Sequence, residues 1–443
     1  MSTPEPNTGL ERLYRESGWT LRQLAQEINR LGTERGTPLK YREPSVHQWL
    51  KGHMPKESVR PLILEAFARR LARPITHAEA GFPPSPKQLI SRPNTVDGLI
   101  DLGRQDMDPS RRSVMGAALF SVALAVPNWP DVVGRMEMVS SGKPLHVGMA
   151  DVDMVVAMTD RISELDDQFG GRHARPMAAA FLVNTVAPYL RADAPEHVRK
   201  AMMSAASFLS YLTGWMAVDE GLHGLAQRYY LKGLELAGAS ADHSTYCHIL
   251  RGMSVQAADL GHGSPAVRFA NASSAASPSS GPRMTAFLSG QQAHAYAIAG
   301  DRVSALRSIR ETEKAMEKAE SGTGTFGGYS PATVAYHVAQ VRHALGDVSG
   351  SISSLKLHFT LRDSTDSQVS SLRFSSMLAE RQLEIGHLEA ACGTWNKVLE
   401  QYPAMHSDRV DRHVAKIPSL LNPHRGNSLA RETRERAIQA LAS

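Results

Sequence analysis

The chain has 443 residues, of which 42% are apolar and only 6% are aromatic. This length allows two or three domains, and the Ala-rich composition favours helices that pack through small residues. The two cysteines, Cys247 and Cys392, lie far apart and offer neither a metal-ligand spacing nor a disulfide framework, which favours a reducing compartment. Because the N-terminus lacks a signal pattern and no apolar run reaches the roughly 18 residues of a membrane span, we expect a cytoplasmic protein without membrane contact.

The charge of the chain is concentrated at its N-terminal end. Residues 1–90 contain 14 Lys and Arg residues against 9 Asp and Glu residues, whereas the rest of the chain contains 35 of each. The whole net charge of +5 therefore lies in the first fifth of the sequence. A local basic excess suits a polyanionic partner, although randomly placed surface charge gives the same pattern.

Residues 1–82, here called the head, have the pattern of a small helical domain. Thr20 is placed to cap a helix whose apolar residues recur at helical spacing as far as Leu31, and we expect Gly32 to end that helix. A polar, partly basic loop over 32–44 follows. The expected helices of the head cover 10–17, 21–31, a segment starting at Ser45, and 57–71.

The next segments are predicted to connect the head to the rest of the chain. Residues 83–98 contain four prolines among polar residues and are expected to form a linker. Residues 99–150 are expected to form a connecting helical segment. Within it, Arg111 and Arg112 precede an apolar run that ends at Val126, which we interpret as an ordinary buried helix. An export signal is the weaker interpretation, because the pair is internal and the run is short.

Residues 151–443, here called the body, contain an internal repeat. In five places a glycine is followed five residues later by a small residue, and the small residues are 40, 39, 46 and 40 positions apart. This spacing predicts a helix, a glycine turn and a second helix in each unit, with the small residue allowing close approach of the two helices. The pairs are Gly221/Ala226, Gly261/Ala266, Gly300/Ala305, Gly346/Ser351 and Gly386/Ala391.

The repeat phasing resembles that of tetratricopeptide repeats, with longer loops between units at 273–282 and 321–330. A last amphipathic helix over 427–442 is expected as a cap. The sequence thus favours an all-α fold: an N-terminal helix-turn-helix domain followed by a tetratricopeptide-like α-solenoid. Four positions beyond the small residue, most units carry a larger residue that is expected to pack between neighbouring helices: Tyr230, Ile309, Leu355 and Trp395.

The segment from Ser45 to Pro55 has the sharpest functional pattern. On a helix starting at Ser45, three apolar residues fall on one face, where they would pack against the preceding helix: Val46, Trp49 and Leu50. The side chains of Ser45, His47, Gln48 and Lys51 then point outward. Gln pairs with adenine through two hydrogen bonds, and Ser and Lys contact base edges or phosphates. The N-terminus of such a helix also suits a phosphate.

The sequences Thr20-Leu21-Arg22-Gln23-Leu24-Ala25 and Ser45-Val46-His47-Gln48-Trp49-Leu50-Lys51-Gly52 resemble the Cro/repressor-like (XRE-type) helix-turn-helix family. In that family the second of the two helices enters the major groove. Two departures are present. Leu21 stands where the family often has Gln, so that Arg22 would take over a phosphate contact, and the connection between the helices spans about 13 residues.

The resemblance implies a set of residues that contact DNA. Lys40 and Arg42 in the long connection would contact the backbone. Lys51, Lys56 and Arg60 are candidates for phosphate contacts, whereas Arg69, Arg70 and Arg73, on a later helix, are expected to be solvated. The complete DNA-binding set is Arg22, Gln23, Lys40, Arg42, Ser45, His47, Gln48, Lys51 and Lys56.

The order of the segments is similar to that of actinobacterial XRE regulators, including the NsdA-type negative regulators. This resemblance implies a nucleoid-associated transcriptional regulator, with a repressor as the expected type, that binds double-stranded DNA as a homodimer. The groove of the repeats would bind a peptide, a small molecule or a protein partner, or the body would serve for dimerisation.

Other classes of function have weaker support. The sequence lacks a phosphate-binding loop with its Lys, a His-Glu-x-x-His motif and a Gly-x-Ser-x-Gly motif, and the Gly-rich segment at 322–328 lacks a following Lys. We therefore expect no enzyme activity, no cofactor and no metal site. The alternative hypothesis is a protein-interaction scaffold whose head does not recognise specific DNA.

Overall fold

The computed structural model describes residues 6–35, 37–71, 73, 75–83, 94–108, 119–122, 124, 146–276, 281–319, 329–363 and 367–442. The protein is all-α. Over the described residues the only strand-like pairing is an isolated β-bridge between His146 and Asp193. The expected all-α fold is therefore confirmed. The Arg111-Arg112 pair and most of the loop at 321–330 lie outside the described residues.

The head begins with two capped helices, α1 (Thr8–Ser17) and α2 (Leu21–Glu34). Gly18 ends α1 with a φ of +64°, a conformation that costs glycine little. Thr20 caps α2, as predicted, by accepting a hydrogen bond from the backbone of Gln23. Gly32 does not end α2 but lies inside it, where a Cβ atom would come within 2.7 Å of the Leu39 side chain. The close approach of Leu39 therefore explains why a residue without a Cβ atom occupies position 32.

The third and fourth head helices are α3 (Glu43–Leu50) and α4 (Arg60–Leu71). The prediction that α3 starts at Ser45 was wrong by two residues, because Pro44 suits the first turn of a helix and Arg42 takes the N-cap position. The connection from α2 accordingly spans only residues 35–42 rather than 32–44. The fourth helix starts at Arg60 instead of residue 57.

The helices of the head surround one apolar core. Val46 and Trp49 are buried in it, as expected, together with Leu24 and Ile28 of α2 and with Phe67 of α4. Burial of side chains of this size supplies most of the stability of such a small unit. The core fixes which face of α3 turns inward and therefore which face stays exposed.

Helix α5 (Thr95–Met107) begins inside the range expected for the linker and packs against the body. Its Asp106 is buried, where it pairs with Arg175 and accepts a hydrogen bond from Tyr229 at 2.9 Å. Residues 119–122, here called the strap, are not helical. The predicted buried helix leading to Val126 is thus wrong for these residues, and the remainder of that run lies largely outside the described residues.

The body consists of helices arranged as a solenoid-like series of antiparallel pairs. Its helices are α6 (Met149–Phe169), α7 (Gly171–Phe181), α8 (Ala187–Leu190), α9 (Glu196–Asp219), α10 (His223–Ser240), α11 (His243–Asp259), α12 (Gly263–Ala275), α13 (Pro282–Ile298), α14 (Arg302–Glu317), α15 (Pro331–Ala344), α16 (Val348–Leu361), α17 (Gln368–Glu384), α18 (Leu388–Gln401), α19 (Asp408–Val414), α20 (Ile417–Leu421) and α21 (Ser428–Ala442).

The predicted repeat phase agrees with these pairs. Each of the five glycines lies in the turn between the two helices of a pair, with φ between +71° and +87°. The small residue of every unit is completely buried where the two helices meet, and the expected cap is α21. Helix α12 runs to Ala275, so the predicted loop at 273–282 is shorter than expected. The buried small residues are Ala226, Ala266, Ala305, Ser351 and Ala391.

The first helices of the pairs, α9, α11, α13, α15 and α17, form one face, here called the inner face. The first four contact one another in sequence, and Tyr336 of α15 stacks on Phe374 of α17 with ring centroids 4.0 Å apart. The C-terminal segment returns to this face, where Arg409 of α19 binds Asp259 of α11 at 2.6 Å. His406 also donates a backbone hydrogen bond to Phe169 at 3.0 Å, which joins the two ends of the body.

Helix α9 is long and apolar enough to cross a membrane, unlike the expectation from the sequence. Most of its apolar stretch is buried inside the protein, as in the core helix of a soluble domain. Length and composition alone are therefore weak evidence for a membrane span here.

Candidate nucleic-acid interface

Helix α3 exposes a polar face on the surface of the head. His47, Gln48 and Lys51 are exposed, and their spacing of three and four residues places them on one side of the helix. Ser45 is half-buried, so it belongs to the margin of this face. Their side chains make no hydrogen bond or ion pair with another described residue. The face is therefore free to bind a partner.

Three features hold α3 in place from within the head. The side-chain amide of Asn29 donates to the Tyr41 carbonyl and accepts from its backbone N–H, both at 2.8 Å, which fixes the entry into α3. The Tyr41 ring packs edge-on against Trp49, with centroids 5.0 Å apart. At the other end, Gly52 has a φ of +97°, and His53 donates to the Gln48 carbonyl at 3.0 Å. The exposed face is thus presented on a rigid element.

The sequence did not single out Asn29 or Tyr41. The only signal for them was a polar residue on α2 and an aromatic residue just before α3. Pairing between them requires the connection to fold back across α2, and spacing along the chain does not predict that.

Most of the predicted phosphate-contacting cations surround this face. Arg22, Lys40, Arg42 and Lys56 are exposed and form no ion pair among the described residues. Arg60 donates instead to the Pro55 carbonyl at 3.0 Å, which assigns it a structural contact. Exposed cations without a carboxylate partner favour an anionic partner on the surface of the head.

The three arginines for which solvation was expected lie at the end of α4 and just beyond it, and each contacts another part of the head. Arg69 is almost buried and binds Glu34 at 2.7 Å and Glu65 at 2.9 Å. Arg70 donates to the Ser17 carbonyl at 2.8 Å, and Arg73 binds Glu79 at 2.7 Å. The predicted solvation was therefore wrong for Arg69, whereas Arg70 stays exposed and Arg73 stays partly exposed beside their partners. Arg69 and Arg70 link α4 to head helices that are distant in sequence.

The structure also changes two predictions about ligand contacts, one for Gln23 near the start of α2 and one for the N-terminus of α3. Gln23 is exposed, but its side-chain oxygen accepts from the Thr20 backbone at 2.8 Å, so only its amide N–H groups remain for a ligand. The N-terminus of α3 is a weaker phosphate site than expected. Pro44 lacks an N–H group there, and the carboxylate of Glu43 in the first turn already provides negative charge.

A groove of about 420 Å³ lies between α2 and the start of α3. Arg22 and Arg42 contribute two positive charges to it against the single negative charge of Glu43. Among the described residues, no group of three or more His, Cys, Asp or Glu side chains is arranged to hold a metal ion. The groove is lined by Arg22, Ala25, Gln26, Tyr41, Arg42, Glu43 and Pro44.

Comparison with known proteins matches the head to a family model. Residues 10–83 match the family model of the SP15 N-terminal domain. This range contains most of α1 and the whole of α2 to α4, and thus the whole exposed face of α3. No curated protein matches the chain.

Proposed function

We propose that the protein is a sequence-specific DNA-binding transcriptional regulator whose helix α3 enters the major groove. The observation that carries this proposal is the exposed and unpartnered set of His47, Gln48 and Lys51 on a helix whose other face is fixed in the core. Gln48 would recognise a base through its amide group, and Lys51 would contact a base edge or a phosphate.

The surrounding cations support the same proposal. Arg22, Lys40, Arg42 and Lys56 would neutralise backbone phosphates on either side of α3, with the groove beside Arg22 and Arg42 following the DNA backbone. Such contacts position a protein on DNA and make its affinity depend on salt. The resemblance to the XRE family supports this arrangement, with transcriptional repression by a homodimer at an inverted repeat as its expected form.

The body supplies the remaining functions in this proposal. The phasing of its helix pairs resembles tetratricopeptide repeats, and such a surface would serve for dimerisation or bind a partner or a ligand. A ligand would change DNA binding only to the extent that it binds two arrangements of the heads with different affinity.

The proposal is tested by selecting DNA sequences with the full-length protein and measuring their affinity over a series of salt concentrations. Gln48→Ala should reduce the preference for the selected sequence over competitor DNA, by a factor corresponding to about 1–3 kcal/mol. Lys51→Ala should lower the salt dependence by about one charge if Lys51 contacts a phosphate. Gln401→Ala, at the end of α18, is the matched control and should behave as the wild type.

A protein-interaction scaffold is the second candidate function. The observation that favours it is that Val46 and Trp49 hold α3 rigidly in the head core, since a rigid polar helix face also suits a protein partner. Absence of any sequence preference in the wild-type protein would refute the regulator and favour the scaffold.

A further inference from the structure

The inner face of the body carries a continuous series of aromatic rings. Tyr211 of α9 contacts His248 of α11 with centroids 4.5 Å apart, and His248 contacts Phe287 of α13 at 5.0 Å. Tyr336 of α15 and Phe374 of α17 continue the series. Tyr211, Phe287, Tyr336 and Phe374 are largely buried, each with 8% of its surface exposed.

Arg251 of α11 lies among these rings. Its Nε donates to the Phe287 carbonyl at 3.2 Å, and its guanidinium carbon lies 3.8 Å from the centroid of the Phe287 ring. The two terminal nitrogens make no hydrogen bond and no ion pair with any described residue. Burial lowers the pKa of Arg251, and the groups that oppose this shift are tyrosines rather than carboxylates. The guanidinium group therefore lacks a negatively charged partner.

The other arginines near this face are satisfied within the protein. Arg373 and Arg409 share the carboxylate of Asp259, at 2.7 and 2.6 Å. Arg381 donates to the Ser351 hydroxyl at 2.6 Å and to Gln340. Arg381 also lacks a carboxylate partner, but its terminal nitrogens have acceptors, whereas those of Arg251 have none among the described residues. A charge without acceptors in partly buried, aromatic surroundings is unfavourable unless an anion binds it.

We propose that Arg251 is the charge-pairing residue of a binding site for a small aromatic anion, a carboxylate or a phosphate monoester. The two free terminal nitrogens form a planar fork that matches the oxygens of such an anion. The rings of Tyr211, Phe287 and Tyr336, which lie in the series around Arg251, would contact the aromatic part of the ligand. The hydroxyl groups of Tyr211 and Tyr336 make no hydrogen bond to other described residues and provide additional donors.

This inference rests on the proposed function only in giving the body a ligand-binding role. It concerns residues of the inner face, and its test contains no DNA. A failure of DNA recognition would leave the ligand site intact, and an absent ligand site would leave DNA recognition intact.

The test is isothermal titration calorimetry of the full-length protein at neutral pH with benzoate, phenyl phosphate and the neutral analogue benzamide. We expect saturable binding of benzoate or phenyl phosphate and none of benzamide. Arg251→Gln should weaken binding on the order of 10- to 100-fold, as for loss of charge-assisted hydrogen bonds. Arg310→Gln removes the same charge from the exposed surface of α14 and should leave binding unchanged.

Thermal unfolding without ligand separates a binding role from a structural one. Gln at position 251 keeps an N–H donor for the Phe287 carbonyl and removes the unpaired charge, so the unliganded variant should have a Tm equal to or above that of the wild type. Strong destabilisation of this variant would assign Arg251 a structural role and overturn the proposal. Equal binding by the variant, binding of benzamide with the same affinity, or absence of binding of both anions at millimolar concentration would overturn it as well.

Discussion

The carboxylate of Glu65 in α4 accepts a hydrogen bond from the hydroxyl group of Ser121 in the strap, at 2.8 Å. Its other oxygen accepts from the backbone N–H of Val122, also at 2.8 Å. On the opposite side, Gln227 of α10 accepts from the backbone N–H of Ser121 at 2.8 Å and donates to its carbonyl at 2.9 Å. The strap therefore ties the head to the body.

Glu65→Gln should loosen this connection. The amide keeps the size of the carboxylate but places an N–H group against the donors of the strap, which leaves a buried donor without an acceptor. We expect the free energy of unfolding in urea to fall by about 1–3 kcal/mol. Glu57→Gln, which changes an exposed carboxylate of the same head, is the control and should alter it by less than about 0.5 kcal/mol. Equal effects of the two variants would contradict the connection.

The turn glycines of the repeats should be sensitive to substitution. Gly300 has a φ of +82°, so Gly300→Ala should destabilise the protein by about 1–2 kcal/mol. Gly393 lies exposed inside helix α18, where an added Cβ atom would meet no neighbouring atom within 4 Å. Gly393→Ala should therefore stabilise the protein by about 0.5–1 kcal/mol. Urea unfolding of both variants measures the change in the free energy of unfolding. Changes of the same sign in the two variants would be inconsistent with the turn geometry.

The ion pairs of Asp259 should hold the C-terminal segment against the inner face. Asp259→Asn leaves both Arg373 and Arg409 without a carboxylate, so we expect a loss of about 3–5 kcal/mol in the free energy of unfolding. Arg409→Met should lower the free energy of unfolding by less, because Asp259 and Arg373 remain paired. Proteolysis after α18 should increase in both variants. A larger effect of Arg409→Met than of Asp259→Asn would argue against Asp259 as the centre of the network.

The buried histidines predict a dependence of stability on pH. Burial lowers the pKa of His223 to about 3 and that of His294 to about 4. In the unfolded chain a histidine has a pKa of about 6.5, so the unfolded state takes up protons first as the pH falls. Each buried histidine therefore makes its full contribution to the free energy of unfolding above about pH 6.5. As the pH falls from about 6.5 to the folded pKa of the histidine, that free energy decreases by about 1.4 kcal/mol per pH unit.

The measurement is urea unfolding between pH 7.5 and pH 5. His294→Gln should reduce the slope of stability against pH by about 1.4 kcal/mol per unit in the range from about pH 6.5 to 5. The same slope in wild type and variant would show that His294 does not stay neutral in the folded protein.

Local patterns predicted much of the head and of the repeats. The capping of α2 by Thr20 and the burial of Val46 and Trp49 depend on neighbours within a few residues, and both predictions were confirmed. The exposure of Gln48 and Lys51 followed from the same helical spacing. Errors occurred where a contact outside the helix decided the outcome, as for Gly32, which approaches Leu39 of the following connection.

The sequence by itself determined the all-α class, the phase of the five glycine turns and the polar face of α3, because periodicity and capping act over one or two helical turns. Only the tertiary structure decided that Arg69 is paired, that the strap joins head and body, and that Arg251 lies among aromatic rings without a counter-charge. These properties depend on contacts between residues up to more than a hundred positions apart, such as Ser121 and Gln227. Such contacts depend on how the packed helices are placed, and local sequence patterns do not reveal that placement.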